Sequence, residues 1–172
     1  MTSTEASSTE ASAPAPVVEI STVQVFSAPG RVKNVRLPVD DDVLIPMGLH
    51  GGVAEHYHAP SDIEPHATTL DYLVGVTAAC LSGTLGGMLR ALGQSTEPDH
   101  FATTGTGTIV NDRGVLRIAA VHISYTVSLS EKVPAEKVEK AHDRHVRHCP
   151  IAKTIGGCVA ITTSLTMKTP DR

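Results

Sequence analysis

The chain has 172 residues and a mass of 18.0 kDa, the size of one domain, and its net charge of −4 lacks the basic excess that duplex nucleic-acid binding requires. Aromatic residues make up only 3% of the chain, so we expect a core of Val, Ile, Leu, Ala and Met. Its three cysteines, none at CxxC spacing, exclude a disulfide-stapled secreted framework and a zinc ribbon, and we expect a cytoplasmic protein.

Residues 1–16 differ in composition from the rest of the chain. Ser, Thr, Ala, Glu and Pro dominate them, and the pentapeptide Ser-Thr-Glu-Ala-Ser occurs twice. Such a segment buries too little apolar surface to offset its ordering entropy, so we predict a disordered tail over residues 1–16 and one domain over residues 17–172. Residues 1–16 contain no basic side chain, the first in the chain being Arg31, and no apolar stretch, so we expect neither a signal peptide nor a transit peptide.

Two short strands are predicted next. Val17–Ser27 is rich in β-branched residues and predicts a strand, Pro29-Gly30 predicts a turn, and Arg31–Val39 predicts the returning strand. Residues 43–67 contain several His, Gly and Pro and predict a long loop.

The clearest helix is predicted over Thr68–Leu92. Thr68 and Asp71 fit a capping box at its start, and Gly93 ends it. The segment Tyr72–Leu89 carries no charge and approaches the length of a membrane-spanning helix. However, it contains Gly, Thr, Ser and Cys and has no flanking basic cluster, so we expect a helix buried inside a soluble domain, with no membrane contact.

The second half of the chain mixes strands and helices. Thr103–Asn111 and Gly114–Leu129 predict a hairpin whose second strand alternates apolar and polar side chains. Two further helices are predicted to begin at Pro134 and Pro150, and Cys158–Met167 predicts a final strand. This order of elements is typical of an α+β fold with an antiparallel sheet.

Two of the three cysteines are candidates for chemistry. Cys80 lies mid-helix among small neighbours that leave room for a molecule to approach the sulfur, the alternative being a buried structural cysteine. Cys149 precedes Pro150 and is a predicted N-cap, where a helix N-terminus lowers a thiol pKa, the alternative being a simple Cys-Pro helix break. Cys158 is expected to be structural.

Histidines offer a different chemistry. His142, His145 and Cys149 share one helical face, and His56-x-His58 can add further metal ligands. No spacing matches a standard metal motif, so solvated or core histidines are the alternative explanation.

Three segments together resemble a known family. They are the helix segment Leu70–Cys80, the hairpin segment Thr108–Leu129 and the Cys-Pro segment His148–Ile155. They resemble the osmotically inducible protein C and organic hydroperoxide resistance (OsmC/Ohr) superfamily, in a less characterised OsmC-like branch. The resemblance extends from Val18 to Met167.

The resemblance implies a fold, an assembly and an activity. The implied fold is α+β, with antiparallel sheets around a long central helix in an intertwined homodimer. Cys80 would attack an organic hydroperoxide and Cys149 would resolve the resulting sulfenate as a disulfide. The family chemistry implies no metal, haem or other cofactor, and a dithiol or lipoyl-type reductant.

This chain departs from the superfamily at the residues around the thiols. The peroxidase branches carry Glu ten positions before the first Cys, where this chain has Leu70. Asp71 follows one place later, but nine residues on a straight helix put it about half a turn round from Cys80, which favours a capping role. Arg31 and Arg36 are both candidates for the arginine that holds the thiolate in those branches.

Three functions are therefore predicted in competition. The first is a thiol peroxidase acting on organic hydroperoxides through Cys80 and Cys149. The second is a non-catalytic protein of the same fold that binds an apolar ligand. The third is a metal-dependent enzyme that uses the histidines of His50–His66 and His142–Cys149. Proximity of the two thiols favours the first, and convergence of three or more His and Cys side chains favours the third.

Overall fold

The structure is a computed structural model and describes residues 15–40 and 42–169. The predicted tail over residues 1–16 lies outside the described residues except for Ala15 and Pro16, which belong to no helix or strand. The elements in chain order are β1 (Gln24–Ser27), β2 (Lys33–Arg36), β3 (Ile45–Met47), α1 (Gly51–His56), α2 (Thr69–Ala91), β4 (Phe101–Asp112), β5 (Val115–Ser128), α3 (Ala135–His145), α4 (Pro150–Ile155) and β6 (Ala160–Lys168).

The strands form two three-stranded sheets. The first has the order β1-β2-β3 with antiparallel neighbours, and the second has the order β4-β5-β6. In the second sheet β4 runs antiparallel to β5, but β5 runs parallel to β6. The predicted α+β class is confirmed, whereas the predicted antiparallel pairing is wrong for β6. The reason is that α3 and α4 form a crossover, and a crossover returns the chain in the same direction.

The first third of the chain shows the largest differences from the predicted elements. The strand predicted over Val17–Ser27 is reduced to β1, because residues 17–23 pair with no strand among the described residues. The long loop predicted over residues 43–67 contains β3 and α1. The sequence pattern hides β3 because it has three residues and a central Pro46, which is tolerated only at a sheet edge.

Helix α2 forms the centre of the core. The predicted capping box is present: the Thr68 hydroxyl accepts a hydrogen bond from the Asp71 amide, and the Asp71 carboxylate accepts one from the Thr68 amide. Leu81, Leu85 and Leu89 repeat at helical spacing and are completely buried. They pack against the inward side chains of β5, so the hydrophobic face of α2 covers the second sheet.

By length and composition α2 also meets the criterion for a membrane-spanning helix, and it is the one such helix in the described part of the chain. That criterion is weak evidence, because the core helices of soluble proteins meet it as well. Here α2 supplies the hydrophobic core of an α+β domain, and part of its surface is left uncovered.

Candidate active site

The two thiols that the resemblance paired lie side by side. Cys80 is half-buried in the middle of α2, and Cys149 is completely buried immediately before α4. Helix α2 packs against α4 and the 3-10 turn Val146–His148, and Cys80 packs against the buried cluster that contains Cys149, close enough to raise the pKa of that thiol. The third thiol, Cys158, is exposed in the turn before β6 and donates to the Ile155 carbonyl at 3.2 Å.

Cys149 is the N-cap of α4, as predicted, but its predicted acidity is wrong. Its sulfur accepts a weak hydrogen bond from the Ala152 amide at 3.5 Å. Burial raises the pKa of Cys149 above its ordinary value; the Ala152 amide lowers that pKa, and the neighbouring Cys80 thiol raises it further. The net shift of the Cys149 pKa is upward, because burial destabilises the thiolate more than the amides at the start of the short helix α4 stabilise it. Cys149 is therefore a buried thiol in its resting state.

Cys80 is the more accessible sulfur. Ala79 and Gly83 beside it are exposed, and a Cβ placed on Gly83 would meet no atom within 4 Å. Val76, one turn earlier, is 46% exposed and lines an open depression of about 370 Å³ along α2. The predicted small neighbours of Cys80 are present, and two of them, Ala79 and Gly83, lie on the exposed side of α2.

Asp71 is used at the start of α2 rather than at the thiols. Its carboxylate accepts hydrogen bonds from the Thr68 amide at 2.7 Å, the Thr68 hydroxyl at 2.6 Å and His50 Nε2 at 2.8 Å. Burial raises the pKa of Asp71, but these hydrogen bonds and the charge of His50 lower it, and the net pKa lies below its ordinary value. No local sequence pattern predicts the His50 contact, since the two residues lie 21 positions apart in the chain.

Neither candidate arginine contacts the thiol pair within the described chain. Arg31 donates from Nη1 to the Tyr57 carbonyl at 3.1 Å. Arg36 donates to the Gln24 side chain at 3.2 Å and lies over the Phe26 ring, 5.1 Å from its centroid. Both therefore belong to the first sheet and its surroundings, where they hold local structure.

A buried polar cluster lies behind Cys149. Tyr125 on β5 and His145 on α3 are completely or almost completely buried, and their side chains are joined at 2.8 Å. His145 Nδ1 faces the His142 carbonyl and must donate to it, so Nε2 accepts the proton of the Tyr125 hydroxyl. Burial raises the pKa of Tyr125, which a thiolate at Cys149 would raise further, and burial lowers the pKa of His145, so this cluster is neutral at physiological pH.

Two of the histidines considered for a metal-dependent enzyme have other partners in the described part of the chain. No group of three or more His, Cys, Asp or Glu there converges as a metal site would require. His145 is instead a core histidine, which was the alternative explanation, and His50 is paired with Asp71.

The buried histidines predict a pH-dependent stability. Burial lowers the pKa of His142 and His145 below the ordinary value of 6.5. Well above pH 6.5 these histidines are neutral in both the folded and the unfolded chain. Near and below pH 6.5 the unfolded chain binds more protons at these residues than the folded chain does. The free energy of unfolding should therefore fall as pH drops, by at most about 1.4 kcal/mol per pH unit for each histidine.

Urea unfolding between pH 7.5 and 5 measures this slope. The variants His142→Gln and His145→Gln should each flatten it, whereas His58→Gln, at an exposed histidine, should not. If the free energy of unfolding changed equally with pH in the wild type and all three variants, His142 and His145 would not be the source of the pH dependence. The Asp71 carboxylate contributes in a separate, more acid pH range. Because its pKa is lowered in the folded chain, it stabilises the fold at pH values above its ordinary pKa of 3.8, and this stabilisation is lost as the pH falls through the lowered pKa.

Comparisons with known proteins agree with the fold. The model of the OsmC-like protein family matches residues 63–164. An OsmC-like protein from Mycoplasma pneumoniae superposes with a TM-score of 0.65 at 15% identity, over 88% of this chain and 99% of that one. The organic hydroperoxide resistance protein OhrB of Bacillus subtilis superposes with a TM-score of 0.61 at 14% identity, over 87% of this chain and 100% of that one.

A third solved structure is an OsmC-like protein of unknown function from Vibrio cholerae. It superposes with a TM-score of 0.69 at 12% identity, over 87% of this chain and 100% of that one. At these identities the similarity shows a shared fold. A comparison with curated proteins gave no match.

Proposed function

Because the chain belongs to the OsmC-like protein family, we propose that it is a thiol peroxidase that reduces organic hydroperoxides with Cys80 and Cys149. The observation that carries this proposal is the proximity of the half-buried Cys80, on α2, to the buried Cys149 at the start of α4, the helix packed against α2. Two free thiols from distant parts of a chain meet in a core only where the fold brings them together, and such a pair can form a disulfide.

The reaction has three balanced steps. The Cys80 thiolate attacks one peroxide oxygen, the O–O bond breaks, and the alkoxide leaves as an alcohol after taking a proton, so Cys80 becomes a sulfenic acid. The Cys149 thiol then attacks the Cys80 sulfur, which forms a disulfide and releases water. A dithiol reductant returns both thiols by exchange and is itself oxidised to a disulfide.

The environments of the two thiols support this division of roles. Peroxide must reach the attacking sulfur, and Cys80 is only half-buried whereas Cys149 has no exposed surface. Burial also raises the pKa of Cys149, which keeps it protonated and unreactive toward peroxide until a sulfenic acid forms beside it.

A direct test follows the bond between the sulfurs. Full-length protein treated with one equivalent of tert-butyl hydroperoxide should yield a Cys80–Cys149 disulfide in peptide mass spectrometry, with Cys158 left free for alkylation. If both thiols of the pair stay reduced while the peroxide persists, the peroxidase proposal is wrong.

We also propose that the protein is a homodimer. The uncovered side of α2 is a row of small and apolar residues, Gly75, Val76, Ala79, Gly83 and Gly87. Apolar side chains are exposed on and near the first sheet as well: Val17, Val18, Ile20, Val23, Val25, Phe26, Leu37 and Val39. A surface with this much exposed apolar area is typical of a protein interface, and a second copy is the partner that the resemblance implies.

Gly83→Leu is expected to convert the dimer to a monomer. A Cβ there meets no atom within 4 Å in its own chain, the position is exposed, and leucine raises helix propensity, so the protomer should stay folded. Against a partner helix it should weaken dimerisation by at least about a hundredfold, since the clash occurs in both copies. Light scattering across micromolar concentrations measures this, with Lys140→Leu on the exposed face of α3 as the matched control. A wild-type monomer would contradict the dimer.

The depression along α2 supports one other function. It is lined mainly by apolar and small side chains and reaches Val76, one turn from Cys80. A protein that only binds an apolar molecule there would protect Cys80 from alkylation without consuming peroxide. That result, together with reduced thiols after peroxide treatment, would favour non-catalytic binding over catalysis.

A further inference from the structure

A second cleft, of about 440 Å³, lies between the 3-10 turn Val146–His148, α4 and the start of β6. Its lining combines an apolar floor with two cationic side chains: Val146, Ala152, Val159, Ile161, Arg147 and Lys153. It is separate from the depression along α2, with which it shares no lining residue.

The two cations of this cleft have no charged partner among the described residues. Arg147 and Lys153 are both exposed, and neither takes part in any of the ion pairs of that part of the chain. The nearest preceding acidic residue, Asp143, lies 4.0 Å from His142 instead. From Arg144 to Thr169 the sequence contains no Asp or Glu, although the whole chain carries a net charge of −4. The mouth of the cleft is therefore locally positive on an acidic protein.

We propose that this cleft binds a free medium-chain carboxylate. An alkyl chain would lie on the apolar floor, where burial removes its surface from water. The carboxylate would accept hydrogen bonds from the Arg147 guanidinium and the Lys153 ammonium, neither of which has an ion-pair partner among the described residues. The concave shape accommodates one short chain, whereas a flat membrane surface would leave the floor unfilled.

The site lies close to Cys149 although it does not depend on the peroxidase proposal. Ala152 lines the cleft, and its backbone amide donates to the Cys149 sulfur at 3.5 Å. A bound carboxylate would therefore occupy the side of α4 next to that thiol.

Isothermal titration of the full-length protein with octanoate tests the proposal. We expect saturable binding of one octanoate per chain, and at least about tenfold weaker binding of octanol, which has the same chain without the charge. Arg147→Gln and Lys153→Gln should each weaken octanoate by about three- to tenfold and leave octanol unchanged. Lys137→Gln makes the same charge change at an exposed position outside the cleft and should have no effect.

A second variant tests the shape of the cleft independently of its charge. Ala160 is exposed at the cleft, so Ala160→Leu should fill it without disturbing the core and should weaken both octanoate and octanol. Equal affinity for the two probes, or equal loss in Lys137→Gln and Arg147→Gln, would overturn the proposal. The proposal would also be overturned if octanoate failed to bind while the protein sedimented with phosphatidylglycerol vesicles in a manner that required Arg147. Octanoate should bind Cys80→Ser as tightly as it binds the wild type, because the cleft needs no reactive thiol. This titration therefore tests the carboxylate site independently of the peroxidase proposal.

Discussion

Cys80→Ser is expected to reduce turnover of tert-butyl hydroperoxide with a dithiol reductant by at least about a thousandfold. A serine hydroxyl at this position has almost no anionic form at neutral pH, whereas a thiol is partly ionised. The side chain is nearly isosteric and half-buried, so the fold should be unaffected. Peroxide consumption measures the loss, and an unchanged unfolding midpoint separates it from misfolding.

Cys149→Ser should give a different defect. Without the resolving thiol, Cys80 should undergo one reaction with peroxide and then remain a sulfenic acid, which dimedone labels and excess peroxide oxidises further. Cys158→Ser is the matched control, because that sulfur is exposed and its hydrogen bond within residues 15–40 and 42–169 goes to the Ile155 carbonyl. Equal activity of wild type and Cys80→Ser would remove the proposed nucleophile, and full turnover in Cys149→Ser would remove the proposed resolving role.

Local sequence signals predicted α2 and the central hairpin well. The capping box of Thr68 and Asp71 is formed within residues three apart, so its chemistry is complete in the sequence itself. The hairpin predicted over Thr103–Asn111 and Gly114–Leu129 corresponds to β4 and β5 within two residues, because strand alternation and a turn sequence are also local.

The errors arose where a distant part of the chain decides the outcome. The orientation of β6 depends on how α3 and α4 cross the sheet, which no strand pattern encodes. The pKa of Cys149 was expected to fall at a helix N-terminus, but burial against α2 raises it. Likewise, the His50–Asp71 contact joins residues that share no local motif. For Cys149 tertiary packing overrides a local signal, and for β6 and the His50–Asp71 contact the sequence contains no local signal at all.

The close approach of α2 to β4 depends on two glycines. A Cβ placed on Gly105 would lie 2.9 Å from the Ala78 Cβ, and one placed on Gly107 would overlap a methyl group of Val74. Val74 is β-branched and lies on a helix, so its side chain has little rotamer freedom with which to move away. Helix α2 carries Cys80, and the glycines therefore set how closely the thiol-bearing helix lies on the sheet.

Gly107→Ala is accordingly expected to lower the free energy of unfolding by about 1–3 kcal/mol, since the added methyl group must displace Val74 or the helix. Thermal unfolding should show a lower midpoint, by roughly 3–10 °C. The double variant Gly107→Ala/Val74→Ala should be more stable than the sum of its two single variants predicts, because the clash is absent. Gly157→Ala adds the same methyl group where no atom lies within 4 Å and should change stability by less than about 0.5 kcal/mol. Additive effects in the double variant, or equal effects at the two glycines, would show that α2 does not rest on Gly107.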